Sequence, residues 1–460
     1  MVLAAAPAAA LGADGDGSGP RRPREWDERI LPLVDKVEGL RGLHFEHPVR
    51  VTFLSDRRFE REFASDPDEL TRVERRELED STTALRALGL FDGNADELLE
   101  SASEVDAEGT LAFYDSQGER IAIRGRKLDI ETEVTIAHEL VHALQDQHFN
   151  LDKLVNRTEN ATEGLALDAL IEGDAVRIEV DYVAALSLSE QDEYYAATAN
   201  TAAEIEAGFS EDIPEIIPVT FGIPYDLGPY LIFDLVAVGG NERVDEAFNA
   251  PPITDEHVLE PATYLAQDDP DDVPRIRLAD DERPVGDAEP FGAISLYLML
   301  ASRIDARVAL DAAEGWGGDE VIQFRRDGQT CVHARFVGET RVDTDQIAGA
   351  LDQWVAMLPS GAARTERNEA ITLTSCDTPD GLPVAPNSIA DAEALLFNRA
   401  DLAYFLAQPP DPLDPALARC VATTIVRDPA NEELLEATEF TDEQAETLGS
   451  RIEAAIVRCS

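Results

Sequence analysis

Residues 138–142 read His-Glu-Leu-Val-His. Residues four apart lie on the same face of an α-helix, so the imidazoles of His138 and His142 could share one metal ion. Glu139, beside the first histidine, is free to hold a water molecule on that metal and to take its proton. This H-E-x-x-H arrangement predicts a zinc ion held by both histidines and the hydrolysis of a peptide bond.

The residues around the motif favour a buried helix. Its apolar residues recur at steps of three and four, as on one helix face: Ile130, Val134, Ala137, Val141 and Leu144. His138, His142 and Gln145 form a separate stripe, and Asp129 could cap the first turn. The alternative is a pair of surface histidines on an amphipathic helix.

A β-hairpin is predicted just before this helix. Residues 111–115 and 120–124 have strand-like composition, and they flank the turn sequence Ser-Gln-Gly-Glu at 116–119. A strand that leads into a metal-bearing helix suits a peptidase cleft, because an edge strand can pair with an extended peptide.

Two residues compete to be the third zinc ligand that a catalytic site needs. His148 has the spacing of a metzincin ligand, but Gln145 stands where that pattern requires a glycine, and a continuous helix would carry His148 to another face. Glu172 lies in a segment of helical periodicity, 162–185, where a carboxylate is expensive to bury unless it is paired or bound to a metal. We therefore predict Glu172 as the ligand, with a solvated acidic face as its alternative role.

Supporting roles can be assigned by residue type and position. Asp174 or Asp168 could orient a ligating histidine from behind. The tetrahedral oxyanion of peptide hydrolysis needs a hydrogen-bond donor, and Tyr225, Tyr230 and His257 are the downstream candidates. Of these we select Tyr225 as the predicted catalytic residue.

The segment His138–Phe149, followed by Leu-Ile-Glu-Gly-Asp-Ala at 170–175, resembles a group of largely uncharacterised gluzincin-like zinc metallopeptidases of bacteria and archaea. Softer matches extend the resemblance over most of residues 48–357: Phe113-Tyr114-Asp115, Pro224-Tyr225 with Gly228, and Gly315-Trp316-Gly317-Gly318-Asp319.

This resemblance implies a zincin-like metallopeptidase core but supplies no substrate; the expected substrate is a peptide or protein. It implies one zinc ion per chain, bound by His138, His142 and Glu172, with Glu139 catalytic. The alternative function is a non-catalytic, acidic cell-surface binding protein whose zinc site is structural or lost. The presence of Glu139 favours the enzyme, as does the number of ligands, because structural zinc sites more often have four.

The composition is strongly acidic, with 93 acidic residues against 38 basic ones and a formal net charge of −55. Lysine is nearly absent. Such a surface stays hydrated in high salt, where screening suppresses self-repulsion, and it predicts a halophilic archaeal source. The absence of a basic stripe argues against binding to nucleic acid. An apolar share of 44% is enough to form a core.

The N-terminus and the cysteines favour an extracellular or cell-surface location. Residues 1–25 begin with an alanine-rich apolar stretch that resembles a secretory signal without its charged start. The alternative is that this stretch is only a disordered tail, and the predicted location is then the cytoplasm. We expect no other segment to approach a membrane span. An even number of cysteines in the last third fits two disulfides; sequence order favours the pairs Cys331–Cys376 and Cys420–Cys459, but all three pairings remain open.

The predicted fold class is α+β with helices dominant. Four regions are predicted: a disordered tail or remnant signal (1–25), a zincin-like catalytic region (26–305), a small α+β region (306–378) and a helical C-terminal region (379–460). No feature of the sequence indicates an oligomeric state.

Within these regions, several shorter elements are predicted. They are a surface loop at 267–290, a helix at 293–310, a turn at 315–318, strands at 321–325 and 330–337, and a helix at 344–357.

Overall fold

The structure is a computed structural model. It describes residues 22–63, 70–210, 213–368, 370–377, 381–383, 385–410, 412–435, 437 and 440–460. Most of the predicted tail or signal segment therefore lies outside the described residues. The chain forms two compact units, one from Met1–Thr83 with Gly93–Ile253 and the other from Ala84–Asp92 with Thr254–Ser460. The predicted division into four regions stays a prediction.

The predicted fold class, α+β with helices dominant, is confirmed by these elements. The first unit contains α1 (Leu31–Arg41), β1 (Arg50–Leu54), α2 (Asp56–Phe63), α3 (Arg72–Ala87), α4 (Ala95–Gly109), β2 (Ala112–Asp115), β3 (Arg120–Arg124), α5 (Ile130–Phe149), α6 (Leu151–Val155), α7 (Ala161–Ala184), α8 (Leu188–Gly208) and α9 (Ile216–Asn249). The last residues of α3, from Ala84 on, belong to the second unit.

The three strands of this unit form one sheet in the order β1–β3–β2, with β1 parallel and β2 antiparallel to β3. The predicted hairpin is thus confirmed. Its turn is held by the Asp115 carboxylate, which accepts the backbone N–H of Gly118 at 2.8 Å. Apolar residues of the sheet, including Ile121 and Ile123, pack into one core with α1, α5 and α7.

Helix α5 begins where the sequence predicts, because the Asp129 side chain accepts the backbone N–H of Thr132. Helix α7 is capped in the same way by Asn160, which accepts the N–H groups of Thr162 and Glu163. Two capped helices of this length give the site rigid supports, since most of their middle residues are buried.

The second unit contains the remaining elements, which are α10 (Glu256–Leu259), α11 (Pro261–Ala266), β4 (Arg283–Glu289), α12 (Ala293–Ala301), α13 (Ala306–Glu314), β5 (Trp316–Arg326), β6 (Gln329–Gly338), α14 (Arg341–Ala356), β7 (Ala363–Arg367), β8 (Ile371–Cys376), α15 (Ile389–Leu406), α16 (Pro415–Val426), a 3-10 turn (Pro429–Asn431), α17 (Glu432–Leu435) and α18 (Asp442–Cys459). Its five strands form one sheet in the order β4–β5–β6–β8–β7.

Three local predictions in this unit are wrong. The end of the predicted loop 267–290 is strand β4, an edge position where Pro284 is tolerated because its missing N–H can face outward. The predicted helix 293–310 is two helices, since the Asp305 side chain caps a new start at α13. The predicted turn at 315–318 lies mostly within β5, where a Cβ on Gly317 would come within 2.7 Å of the Glu339 nitrogen on the chain following β6.

Both disulfides follow sequence order: Cys331–Cys376 joins β6 to β8, and Cys420–Cys459 joins α16 to α18. The expectation that no later segment approaches a membrane span is wrong for α9, which has 34 residues and a span-like apolar composition. Half of its most apolar window is buried within the protein, as in the core helix of a globular unit. That the chain makes no stable membrane span stays a prediction.

Candidate metal centre

The structure brings His138, His142 and Glu172 together in the first unit. The Nε2 atoms of the two histidines lie 3.1 Å apart, and the Oε2 atom of Glu172 lies 3.2 Å from each of them. Each residue therefore offers one ligand atom to a common point. Ligands in a tetrahedral zinc site, with bonds near 2.0–2.1 Å, are separated by about 3.3 Å, so this donor set fits a zinc ion in chemistry and spacing.

Both histidines are held from behind through Nδ1. His138 Nδ1 lies 3.1 Å from Glu179 Oε2, and the Tyr194 hydroxyl donates to the other oxygen of that carboxylate at 2.6 Å. His142 Nδ1 lies 3.0 Å from Gln145 Oε1. Because both partners accept, each Nδ1 can donate its proton to them, which leaves Nε2 as the atom that could bind a metal ion once it is deprotonated.

Gln145 connects His142 to a buried charge network. Its amide nitrogen donates to the Asp174 carboxylate at 3.1 Å, and Asp174 also accepts from Arg41 at 2.8 Å and from Arg177 at 3.0 Å. The side chains of Arg41 and Asp174 are fully buried. The predicted role of Asp174 behind a histidine is therefore indirect, through Gln145.

The carboxylate that contacts Nδ1 of His138 is that of Glu179, which the sequence analysis missed. It lies seven residues after Glu172, two helical turns further along the same face of α7, and that spacing was the available signal. Asp168, the other residue predicted to orient a histidine, has no hydrogen bond to either histidine in the described structure.

Electrostatics keep Glu172 in its ligand form. Burial alone would raise the pKa of the Glu172 carboxyl, but the charges of His142 and His138 and their hydrogen bonds hold that pKa well below its usual range. Burial lowers the pKa of His138, but hydrogen bonds to Glu172 and Glu179 outweigh it, and the pKa lies well above its usual value. The cluster thus pairs an ionised Glu172 with two histidines that hold their protons strongly, so a metal ion would have to displace those protons in order to bind.

Glu139 and Tyr225 line the same cavity, which has a volume of about 280 Å³. One oxygen of the Glu139 carboxylate is buried and has no hydrogen-bond partner among the described residues. Burial raises the pKa of this carboxyl, as expected for a base in a poorly solvated site. The Tyr225 ring stacks on His138 with centroids 6.3 Å apart, and burial and nearby carboxylates raise its pKa well above its usual value. Its neutral hydroxyl can therefore donate a hydrogen bond.

The other candidates lie apart from this cluster. His148 Nε2 lies 2.9 Å from the carbonyl oxygen of His44, because α5 continues through Gln145 and turns His148 to a different face. Tyr230 contacts Phe233 and is not part of the cavity lining. His257 belongs to the second unit, where its Nε2 lies 3.1 Å from the carbonyl oxygen of Asp268.

Two glycines set the distance between the helices that carry Glu172 and Tyr225. A Cβ atom on Gly173 of α7 would lie 2.3 Å from the carbonyl carbon of Gly228 on α9, and a Cβ on Gly228 would lie 2.2 Å from the carbonyl oxygen of Ala169. Neither position has room for a side chain. The backbones therefore touch, which brings Glu172, next to Gly173, and Tyr225, three residues before Gly228, to one cavity.

Comparison with known proteins gives one match. Residues 282–387, within the second unit, match a family described as a domain of unknown function, DUF8575. No curated protein and no solved structure matches the chain.

Proposed function

We propose that this chain is a zinc-dependent metallopeptidase of the gluzincin-like group, with a zincin-like core in its first unit. One observation carries the proposal: a carboxylate oxygen of Glu172 lies 3.2 Å from the Nε2 atoms of both His138 and His142. Glu139, which lies next to His138 in sequence, lines the adjoining cavity.

His138, His142 and Glu172 would hold the zinc ion. When bound, zinc would supply a Lewis acid that activates water and polarises a carbonyl group. Three protein ligands leave one position for the reactants, as catalytic zinc sites do. The hydrogen bonds that Glu179 and Gln145 accept from the histidines are the kind of support that such sites use to fix the ligand rings.

The chain's own residues account for the proton transfers. The unpartnered oxygen of Glu139 would accept a proton from the attacking water, and the carboxyl group would then pass it to the leaving amine. The neutral Tyr225 hydroxyl would donate a hydrogen bond to the oxyanion that forms on the former carbonyl oxygen.

The sheet supports a peptide as substrate. Strand β2 lies at one edge of its sheet, and three of its residues, Ala112, Phe113 and Tyr114, line the cavity. An extended peptide could add to this edge through main-chain hydrogen bonds, which recognise any sequence. We propose that the enzyme works outside the cell or at its surface in high salt, because two disulfides persist best in an oxidising compartment.

Zinc content tests the ligand set. Elemental mass spectrometry of protein purified in molar salt should find one zinc ion per chain in the wild type and in His148→Ala. Glu172→Ala should lose most of it, because two histidines alone form an incomplete site. Zinc loss in His148→Ala instead would indicate a metzincin-like site. A wild type that binds no zinc would support the non-catalytic binding protein.

Hydrolysis tests the base. Glu139→Gln keeps the shape of the side chain but cannot accept the proton, so it should retain zinc and lose cleavage of a peptide mixture by at least about a hundredfold. Activity that survives this substitution would refute the mechanism.

A further inference from the structure

We infer that the cavity beside the proposed metal cluster binds a cationic group of the peptide substrate, through the carboxylates of Asp106 and Asp168. The inference rests on the proposed function and specifies which substrates it takes. The cation would be a lysine or arginine side chain or the free α-ammonium group of the peptide. These sources share one chemistry, and the experiment below separates them.

The cavity has acidic groups without matching bases. Its acidic lining residues are Asp106, Glu139, Asp152, Asp168 and Glu172. Among the described residues no lysine or arginine lines the cavity, and its one histidine, His142, is assigned to the metal. After Glu172 joins the metal and Glu139 serves as base, three aspartates remain.

Two of these aspartates lack a partner. Asp152 accepts a hydrogen bond from the Ser116 hydroxyl at 2.6 Å, but Asp106 and Asp168 have no hydrogen bond or ion pair in the described part of the chain. Both are half-buried; burial raises the pKa of Asp106 to about 6, and burial with the charge of Glu172 raises that of Asp168 to about 8. A partly buried carboxylate without a partner is destabilising, so its placement in a cavity indicates that a ligand supplies the missing partner.

Two arginines of strand β3, the neighbour of β2, have partners outside the cavity lining. Arg120 donates to Glu62 and Asp115, at 2.6 and 2.9 Å. Arg124 donates to the carbonyl oxygen of Ala107 at 2.6 Å. Neither lines the cavity, so the complementary charge has to arrive with the substrate.

The remaining walls suit a long side chain with a charged end. Phe113, Phe221 and Ile171 give the cavity apolar surface. The methylene groups of lysine or arginine can lie along such a surface while the charged head reaches a carboxylate, and an aromatic face also attracts a cation. The acidity of the protein surface does not account for these two aspartates, because hydrated surface acids are solvent-exposed.

Calorimetric titration of zinc-loaded Glu139→Gln in molar salt tests the inference without catalysis. The probes are neutral peptides in which one arginine is moved along the chain, their citrulline counterparts, and versions of both with acetylated or free N-termini. A peptide with its cation in the cavity should bind at least about tenfold more tightly than the acetylated citrulline peptide, which carries no cation. If only the arginine peptides bind more tightly, the cation in the cavity is the side chain. If only the peptides with free N-termini bind more tightly, it is the α-ammonium group.

Substitutions locate the cation. Asp106→Asn or Asp168→Asn is added to the Glu139→Gln protein. Each should reduce the ratio of the affinity for the charged peptide to that for the neutral peptide by about tenfold or more, because it removes one unpartnered carboxylate. The matched control is Asp192→Asn, which removes the same charge from an exposed position on α8 and should leave the advantage unchanged.

Three results would overturn the inference: equal affinity for charged and neutral peptides, no binding of any peptide, or an advantage that persists in both aspartate variants. These differ from failure of the proposed function, which appears as absence of zinc from the wild type.

Discussion

Substituting Gly173 by alanine tests the helix contact that joins the two halves of the candidate site. Gly173 follows the proposed ligand Glu172 on α7, and its Cα faces the backbone of Gly228 on α9. The added methyl group would lie 2.3 Å from the carbonyl carbon and 2.4 Å from the carbonyl oxygen of Gly228. Because both neighbouring atoms belong to the backbone, no side chain can move aside to make room.

The magnitude follows from these distances. Ordinary contacts between carbon atoms are about 3.5–4.0 Å, so the helices must separate locally by roughly 1 Å or more. Overpacking of this kind costs about 1–3 kcal/mol, while alanine gains up to about 1 kcal/mol over glycine in helix propensity. We therefore expect Gly173→Ala to lower the free energy of unfolding by about 1–2 kcal/mol and to weaken zinc binding, since Glu172 moves with its helix.

The matched control is Gly164→Ala on the same helix, where a Cβ would meet no atom within 4 Å. This variant should be up to about 1 kcal/mol more stable than the wild type, because only the propensity gain applies. Urea denaturation in molar salt, with zinc content measured in parallel, compares the two. If Gly173→Ala is as stable as Gly164→Ala and keeps its zinc, the backbone contact does not constrain the site and the reasoning is refuted.

Three further predictions concern charges. Asp174→Asn should lower the free energy of unfolding by about 3 kcal/mol, because it leaves the fully buried Arg41 without one of its two carboxylates; a loss below about 1 kcal/mol in urea denaturation would contradict this. Glu179→Gln should weaken zinc affinity about 10–100-fold in chelator competition, because it removes the anion behind His138, and unchanged affinity would speak against that role. Asp106→Asn should be about 1–3 kcal/mol more stable than the wild type above pH 6, with the difference vanishing below about pH 4. The sign follows from a folded-state pKa near 6 that exceeds the unfolded value, so ionisation opposes folding as the pH rises; a difference independent of pH would contradict it.

Local sequence patterns were sufficient for the elements that carry the cluster. The apolar stripe and the capping residue Asp129 predicted α5, and composition with turn residues predicted the hairpin β2–β3. Such predictions succeed because periodicity and capping act within a few residues of one another. Two of the errors occurred where pairing with a distant strand decided the outcome: β4 contains Pro284, and the glycines near residue 317 entered β5. The third, the break between α12 and α13, is a local cap at Asp305 that the apolar run concealed.

By itself, the sequence determined the types and the helical spacing of His138, Glu139 and His142, because the geometry of one helix fixes the relation between residues one turn apart. Only the tertiary structure decided that Glu172, rather than His148, faces them, since that depends on how α7 packs against α5. It also decided that Glu179 contacts Nδ1 of His138, and that Asp106 and Asp168 share a cavity in which neither has a partner among the described residues. These relations join residues far apart in the chain, and their distances follow from contacts, such as that of two glycine backbones, that local patterns do not encode.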